Sequence, residues 1–369
     1  MRQATPVTAL VALAVCIGCG GKAAPQRDFI RENIDRWNAE VQQWGGSWDG
    51  WSQSIKPFTD DVRTLLASRP ENIPGIVGID GFLFFRRSLE VLVAGDLRKQ
   101  EEGKDPFPAI VDFNNQLKAR GVDLLFCPIP VKAAVFPEKA SPNAPAPGGP
   151  FVNPYTRKLM LELSQAGVEC VDLLPVFINE RNRREAGDDE PFYMIYDTHW
   201  SNRALRTAAR VFAERIRAYP WYSSAARGRS RYTTAQATSK RRGDIVQMLP
   251  EAERVQYRPM TLRAEQVMKA DGAFYEDDAN SPIVLLGDSY AGVFHLEDCK
   301  NAGLTAHIAR ETGIPVELVL GQGMGPNVRV KWFRYKGKEA IAGKKLVIWA
   351  LSERDLYNYN SPWAIIPVP

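Results

Sequence analysis

Four times along this chain an amphipathic stretch ends on a glycine and runs straight into an apolar block. Ala109 to Arg120 closes at Gly121 before Val122 to Ile129, and Tyr155 to Ala166 closes at Gly167 before Val168 to Leu174. Ala302 to Thr312 leads through Gly313 to Val316 to Leu320, and Glu339 to Ala342 leads through Gly343 to Leu346 to Leu351. A helix stopped by a left-handed glycine, then a strand apolar along its whole length, is the pattern of a parallel sheet covered on both faces. Ile283 to Leu286 adds a fifth strand. The expected fold class is α/β, an open, doubly wound, mostly parallel sheet, with its ligand site beyond the carboxyl ends of the strands.

The 369 residues are 45% hydrophobic and 24% charged, which excludes a disordered, collagenous or disulfide-scaffold chain. A net charge of +4 over this length gives no argument for nucleic acid. Only three histidines occur, His199, His295 and His307, so no histidine-rich metal site is expected, and no cofactor either.

Residues 1–18 read as a signal peptide: Arg2, then a mostly apolar run from Val7 to Gly18, too short for the ~20 residues of a bilayer span. The segment Cys16-Ile-Gly-Cys19 resembles a bacterial lipobox, with Cys19 the lipidated residue; an ordinary cleaved signal is the alternative. Either way the protein leaves the cytoplasm, for a periplasmic or cell-surface site. Beyond Cys19, an odd number of cysteines remains (Cys127, Cys170, Cys299), so disulfides are not the framework.

Residues 19–74 form a tether and a helical extension. Ile30, Ile34, Trp37, Val41 and Trp44 share one helix face, expected to pack on the main domain, with partner or membrane binding as the alternative. Residues 75–369 form the main domain, opened by a glycine-punctuated strand or hairpin from Gly75 to Phe85. Two insertions interrupt its rhythm. Pro137 to Pro154 is a proline-rich loop, and Arg227 to Arg242 is a basic run read as a solvated loop or an anion-attracting one.

Ile283-Val-Leu-Leu-Gly-Asp-Ser289-Tyr290 carries a buried strand into a tight exit, placing Ser289 where strand ends and helix begins. There its hydroxyl is either a helix cap or a nucleophile beside backbone N–H groups that hold an oxyanion. A serine nucleophile needs a base, and the base needs a carboxylate to fix its tautomer. Tyr196-Asp197-Thr-His199-Trp200 supplies both, two residues apart, although His199 as a loop histidine and Asp197 as a helix cap is the plain alternative. His295 and His307 lie in helical stretches with no carboxylate at that spacing. Backbone N–H groups at Tyr290, Gly321 and Gly323 are oxyanion candidates, and Glu353 and Arg354 are candidates for substrate binding.

Gly-Asp-Ser289 after a buried strand, with Asp197-Thr-His199-Trp upstream, resembles the SGNH hydrolase-like domain of the alginate O-acetylation proteins of the AlgJ/AlgX type. Gly78-Ile-Asp-Gly-Phe-Leu-Phe84, Pro128-Ile-Pro-Val-Lys132, Gly243-Asp-Ile-Val-Gln-Met-Leu249 and Trp349-Ala-Leu-Ser-Glu-Arg354 follow the same order. The resemblance implies an SGNH-type serine-dependent acetyl transfer onto exopolysaccharide hydroxyls, with Ser289 as nucleophile, His199 as base and Asp197 as its orienter. It also implies a membrane-bound O-acyltransferase partner as acetyl donor. A carbohydrate acetylesterase, or a non-catalytic scaffold lipoprotein of an export complex, are the rival functions. On the catalytic reading, Ser289 Oγ should lie ~2.6–3.2 Å from a His199 ring nitrogen, or somewhat further without substrate. Asp197 should meet the other nitrogen, and all three should open at the carboxyl edge of the sheet, near Gly321 to Gly325.

Overall fold

The computed structural model describes residues 27–183, 190–227 and 230–369. The expected signal segment, its tether to Pro25 and Cys19 lie outside the described residues. Five parallel strands build the sheet in the order β4–β3–β9–β7–β8, from β3 (Asp123–Ile129), β4 (Glu169–Cys170), β7 (Ile283–Gly287), β8 (Glu317–Leu320) and β9 (Leu346–Ser352). Every residue of β7 and β9 is buried, as their unbroken apolar runs require. Gly121, Gly167, Gly313 and Gly343 all take positive φ, which supplies the helix stops that the repeat implies. Trp349 anchors the core from β9, with Phe113 and Phe126 edge-on to its indole at 5.6 and 5.4 Å.

Details differ from the sequence reading at the periphery. β4 keeps only two paired residues of the apolar block Val168 to Leu174, which bends into the helix Leu174–Glu180. Glu339 to Ala342 gives a short 3₁₀ turn, Gly337–Ile341, behind the α-helix Val328–Lys336. The Gly75 to Phe85 segment is the antiparallel pair β1 (Gly75–Val77) and β2 (Leu83–Phe85), turning through Asp80 at φ 52°.

The helical extension packs on the sheet domain. Helix Phe29–Gln43 buries Phe29, Asn33, Trp37 and Val41, a strict four-residue ladder, while Ile34 and Trp44 are half-buried. Asn33 Nδ2 donates to the Cys170 carbonyl at 2.7 Å, and Trp37 Nε1 donates to Asp172 at 3.2 Å. The helix therefore covers the open edge of β4, which would otherwise offer unpaired backbone groups. Arg157, wholly buried, bonds Glu40 of this helix and Asp172 of the domain, both at 2.9 Å. Among the described residues Cys127, Cys170 and Cys299 are all free.

One expectation fails. The basic run Arg227 to Arg242 is no solvated loop over most of its length. Tyr232–Arg241 forms β5, paired antiparallel with β6 (Met260–Lys269) from Tyr232↔Lys269 to Arg241↔Met260. Its threonines favour strand, and its side chains alternate between half-buried and exposed. Lys240 lies on the exposed face of this two-stranded ribbon, whereas Arg241 lies on the half-buried one.

Candidate active site

Gly287 ends β7 beneath the next helix; a Cβ there would meet the Ala291 side chain at 2.6 Å, so the exit demands glycine. Asp288 caps the helix that follows, its Oδ1 accepting from Tyr290 N–H at 2.9 Å and its Oδ2 from Ser352 N–H of β9 at 2.8 Å. Because Asp288 takes the capping role, the half-buried Ser289 hydroxyl is left without a hydrogen bond among the described residues.

The second half of the site is the loop from Tyr193 to Trp200, closed by a bridge between those two residues. It is bent rather than extended. Asp197 Oδ1 accepts both the His199 backbone N–H at 3.0 Å and Nδ1–H at 2.6 Å. Two-residue spacing thus suits the Asp–His contact through a tight local turn. Ser201, not Asp197, caps the helix Asn202–Ala218. Tyr290 ties the halves together: its hydroxyl donates to the Thr198 carbonyl at 2.7 Å, and its carbonyl accepts Trp200 Nε1–H at 3.0 Å. Its ring lies 4.9 Å from the His199 ring. Positions 199 and 290, far apart in sequence, are neighbours here.

The expected hydrogen bond between Ser289 and His199 is not made. His199 Nε2 is buried and has no hydrogen-bond partner among the described residues. Donation of Nδ1–H to Asp197 leaves Nε2 with the bare lone pair of a base. The serine hydroxyl turns about a single χ1 bond, and such contacts commonly tighten only around substrate. Burial alone would lower the His199 pKa, but the Asp197 carboxylate and its hydrogen bond outweigh that and raise it. Asp197 is held ionised far below the usual carboxylate range: His199 and Arg241 overcome the opposing effect of its own burial.

Three groups not assigned from sequence support the pair. Arg241, at the end of β5, donates from Nε to Asp197 Oδ2 at 2.6 Å. Asp244 accepts Thr198 N–H at 2.7 Å and the Thr198 hydroxyl at 2.5 Å, while its own N–H donates to Asp197 Oδ2 at 2.9 Å. Gly243, at φ 93°, allows this approach, since a Cβ would lie 2.3 Å from the Tyr196 carbonyl oxygen. The buried Lys132 Nζ donates to the carbonyls of Met194, Ile195 and Asp197 at 3.0, 2.9 and 2.8 Å. Burial pushes its pKa down to about 7. Both Gly243-Asp244 and Lys132 fall in stretches carrying the family resemblance, the only sequence signal for them. Lys132→Met should cost about 2 kcal/mol, chiefly through the orphaned Asp197 carbonyl. Calorimetry should then show a Tm lower by roughly 3 °C; a shift under one degree would remove Lys132 from the loop's supports.

Asp197, His199 and Asp244 present ligand atoms close enough for a metal ion. Each carboxylate oxygen nevertheless already accepts from an N–H or O–H, and the Arg241 guanidinium supplies the local positive charge. The donor set does not fit a metal.

The remaining candidates divide. Tyr290 N–H is spent on Asp288, and Gly321 N–H donates to the Gly287 carbonyl at 2.9 Å, so neither is free for an oxyanion. Ser289 and Gly323 keep N–H groups with no acceptor among the described residues; Gly323 is fixed through its carbonyl by the Tyr359 hydroxyl at 2.8 Å. Glu353 is wholly buried, accepting Val131 N–H at 3.0 Å and Asn153 Nδ2–H at 2.7 Å, which makes it a strut and no substrate contact. Arg354 stands at the site. The Phe85 and Tyr290 rings flank its guanidinium at 5.3 and 5.7 Å, and its buried Nη1 has no hydrogen-bond partner among the described residues. His295 does have a carboxylate, Asp277 at 2.8 Å, brought from outside its own helix; burial pushes the His307 pKa down to about 3.

Comparison with known proteins places the chain in a family. The family described as "SGNH hydrolase-like domain, acetyltransferase AlgX" matches residues 76–353. The probable alginate O-acetylase AlgJ of Pseudomonas aeruginosa is 24% identical over 79% of this chain and 75% of its own length. The alginate biosynthesis protein AlgX of Pseudomonas fluorescens is 22% identical, over 81% of this chain and 60% of AlgX. The O-acetyltransferase domain of Pseudomonas putida AlgJ superposes with a TM-score of 0.57 at 19% identity, covering 76% of this chain and 91% of that domain. With three quarters of its length matched, the chain belongs to the AlgX family of SGNH hydrolase-like acetyltransferases.

Proposed function

We propose that this protein transfers acetyl groups to polysaccharide hydroxyls outside the cytoplasm through an acetyl-Ser289 intermediate. The carrying observation is the 2.6 Å contact of Asp197 with His199 Nδ1, which leaves Nε2 bare beside the segment of Ser289. His199 Nε2 takes the serine proton as Oγ attacks the acetyl carbonyl, then returns it to the departing donor group. The same nitrogen next deprotonates a sugar hydroxyl, whose oxygen attacks the acetyl-serine; the acyl–Oγ bond breaks, Ser289 recovers the proton from Nε2, and the sugar leaves as the ester. The free N–H groups of Ser289 and Gly323 suit the oxyanion of both steps. Arg354 contacts the sugar acceptor. A lipid on Cys19 would hold the enzyme at a membrane, where a membrane-bound O-acyltransferase supplies the acetyl group. Among the described residues no helix is long and apolar enough to cross a membrane.

The test incubates the protein with an activated acetyl ester and candidate oligosaccharides and follows both by mass spectrometry. Acetyl on the Ser289 peptide followed by acetyl on the sugar is expected. Free acetate with no acetylated sugar would make the enzyme an esterase. Full polymer acetylation in cells carrying only Ser289→Ala would make it a scaffold.

A further inference from the structure

We propose that Arg241 sets the basicity of His199 through Asp197, so that the β5–β6 ribbon carries a positioning residue of the active site. The proposal rests on the reading of His199 as the catalytic base. In a serine triad the outer oxygen of the carboxylate needs only neutral N–H donors, because its charge serves to stabilise the imidazolium. Here that oxygen receives one neutral donor, Asp244 N–H at 2.9 Å, and one full guanidinium, Arg241 Nε at 2.6 Å. Arg241 is itself fixed from its other side, with Nη1 2.6 Å from Asp298 and 3.1 Å from Glu297. Those two acids follow the helical turn that starts at Ser289, so the guanidinium bridges the base's loop to the nucleophile's segment.

The electrostatic sign is the same by every route. The guanidinium weakens the negative field of Asp197 at the imidazole, and it repels the imidazolium directly. Its removal would also free the charges of Glu297 and Asp298. All three effects would raise the affinity of His199 for a proton. The other charged and titratable groups facing His199 are Asp244 at 3.8 Å, Tyr290 through its ring, and Arg354, which lowers its pKa. Lys132 bonds the Asp197 carbonyl and loses its proton as pH rises, so it bears on the alkaline limb of a rate profile and not the acid limb.

The experiment labels the imidazoles of the full chain with nitrogen-15 and titrates them by NMR. Only three histidines give signals, and His199→Gln assigns the one of interest. Arg241→Gln should raise the His199 pKa by about one unit or more, a tenfold gain in proton affinity. The acid limb of kcat/KM should move up equally, so that the loss of rate is about tenfold larger at pH 6 than at pH 9. Arg241→Lys keeps the charge without the fork, and should hold the limb near its original place while lowering the plateau. An unchanged His199 pKa in Arg241→Gln, with activity lowered evenly at all pH values, would reduce Arg241 to a structural tie and overturn the proposal. If Arg241→Gln does not fold, a limb displaced upward in Arg241→Lys by as much as one unit overturns it too. A chain whose Ser289 is never acetylated refutes the catalytic reading, while the titration still decides whether Arg241 sets the imidazole pKa.

Discussion

Alanine at Ser289, or at His199, is expected to lower the rate of acetyl transfer by at least roughly 10³-fold, and the double variant to be no slower than either. The two groups act on one proton, so loss of either removes the same step. Ser289 offers a clean test of chemistry apart from folding. Its hydroxyl makes no hydrogen bond among the described residues, and the helix it opens is capped by Asp288. Removing it should leave stability within about 0.5 kcal/mol. His199→Ala costs more, because its ring packs against Tyr290 and its Nδ1–H bonds Asp197. Steady-state kcat/KM with an oligosaccharide acceptor measures both. A Ser289→Ala enzyme that keeps a tenth of the rate, while folded by circular dichroism, would remove the nucleophile assignment.

The sheet was legible because its determinants are local and repeated. A strand buried on both faces must be apolar throughout, and Gly121, Gly167, Gly313 and Gly343 follow helical turns with positive φ. Ser289, Asp197 and His199 were legible as residue types in an order, and the resemblance supplied their roles. Their supports were not legible, since they depend on contacts between distant segments. Nothing in the spacing of Lys132 indicates that its Nζ meets carbonyls more than sixty residues on. In sequence Arg241 looks as solvent-facing as the charges around it, because a ribbon strand of Thr, Ser, Lys and Arg has no apolar period to announce it. Glu353 and Arg354 show the same limit from the other side. Adjacent charges at the end of β9 were given one role, yet the first is consumed by Val131 and Asn153 while the second remains at the site. The 3₁₀ turn Glu353–Leu356 sends the two side chains in different directions, and only the packing shows which way each turns.

Asp197→Asn is expected to cost roughly 10³–10⁴-fold in kcat/KM at pH 7 and to move the remaining acid limb to lower pH. The carboxylate accepts on both oxygens, Oδ1 from His199 and Oδ2 from Arg241 and Asp244 N–H. An amide offers only one acceptor. The charged Arg241 donor competes best for it, which turns the amide NH₂ toward His199 Nδ1. Nδ1 must then accept, its proton moves to Nε2, and the nitrogen facing the serine can no longer take a proton. The direction of the pH effect follows from what held the pKa up. Burial lowers the His199 pKa and the Asp197 charge raises it above the ordinary value, so activity in the parent enzyme is lost as pH falls through that raised pKa. Without the carboxylate, burial and the neighbouring Arg354 and Arg241 charges all act downward, and the imidazole stays neutral to a lower pH. The displacement is opposite to the one expected for Arg241→Gln. Rate profiles of the two variants therefore separate a carboxylate that orients and charges the base from one that merely closes a loop. A loss below tenfold, or a limb displaced upward, would refute the orienting role of Asp197.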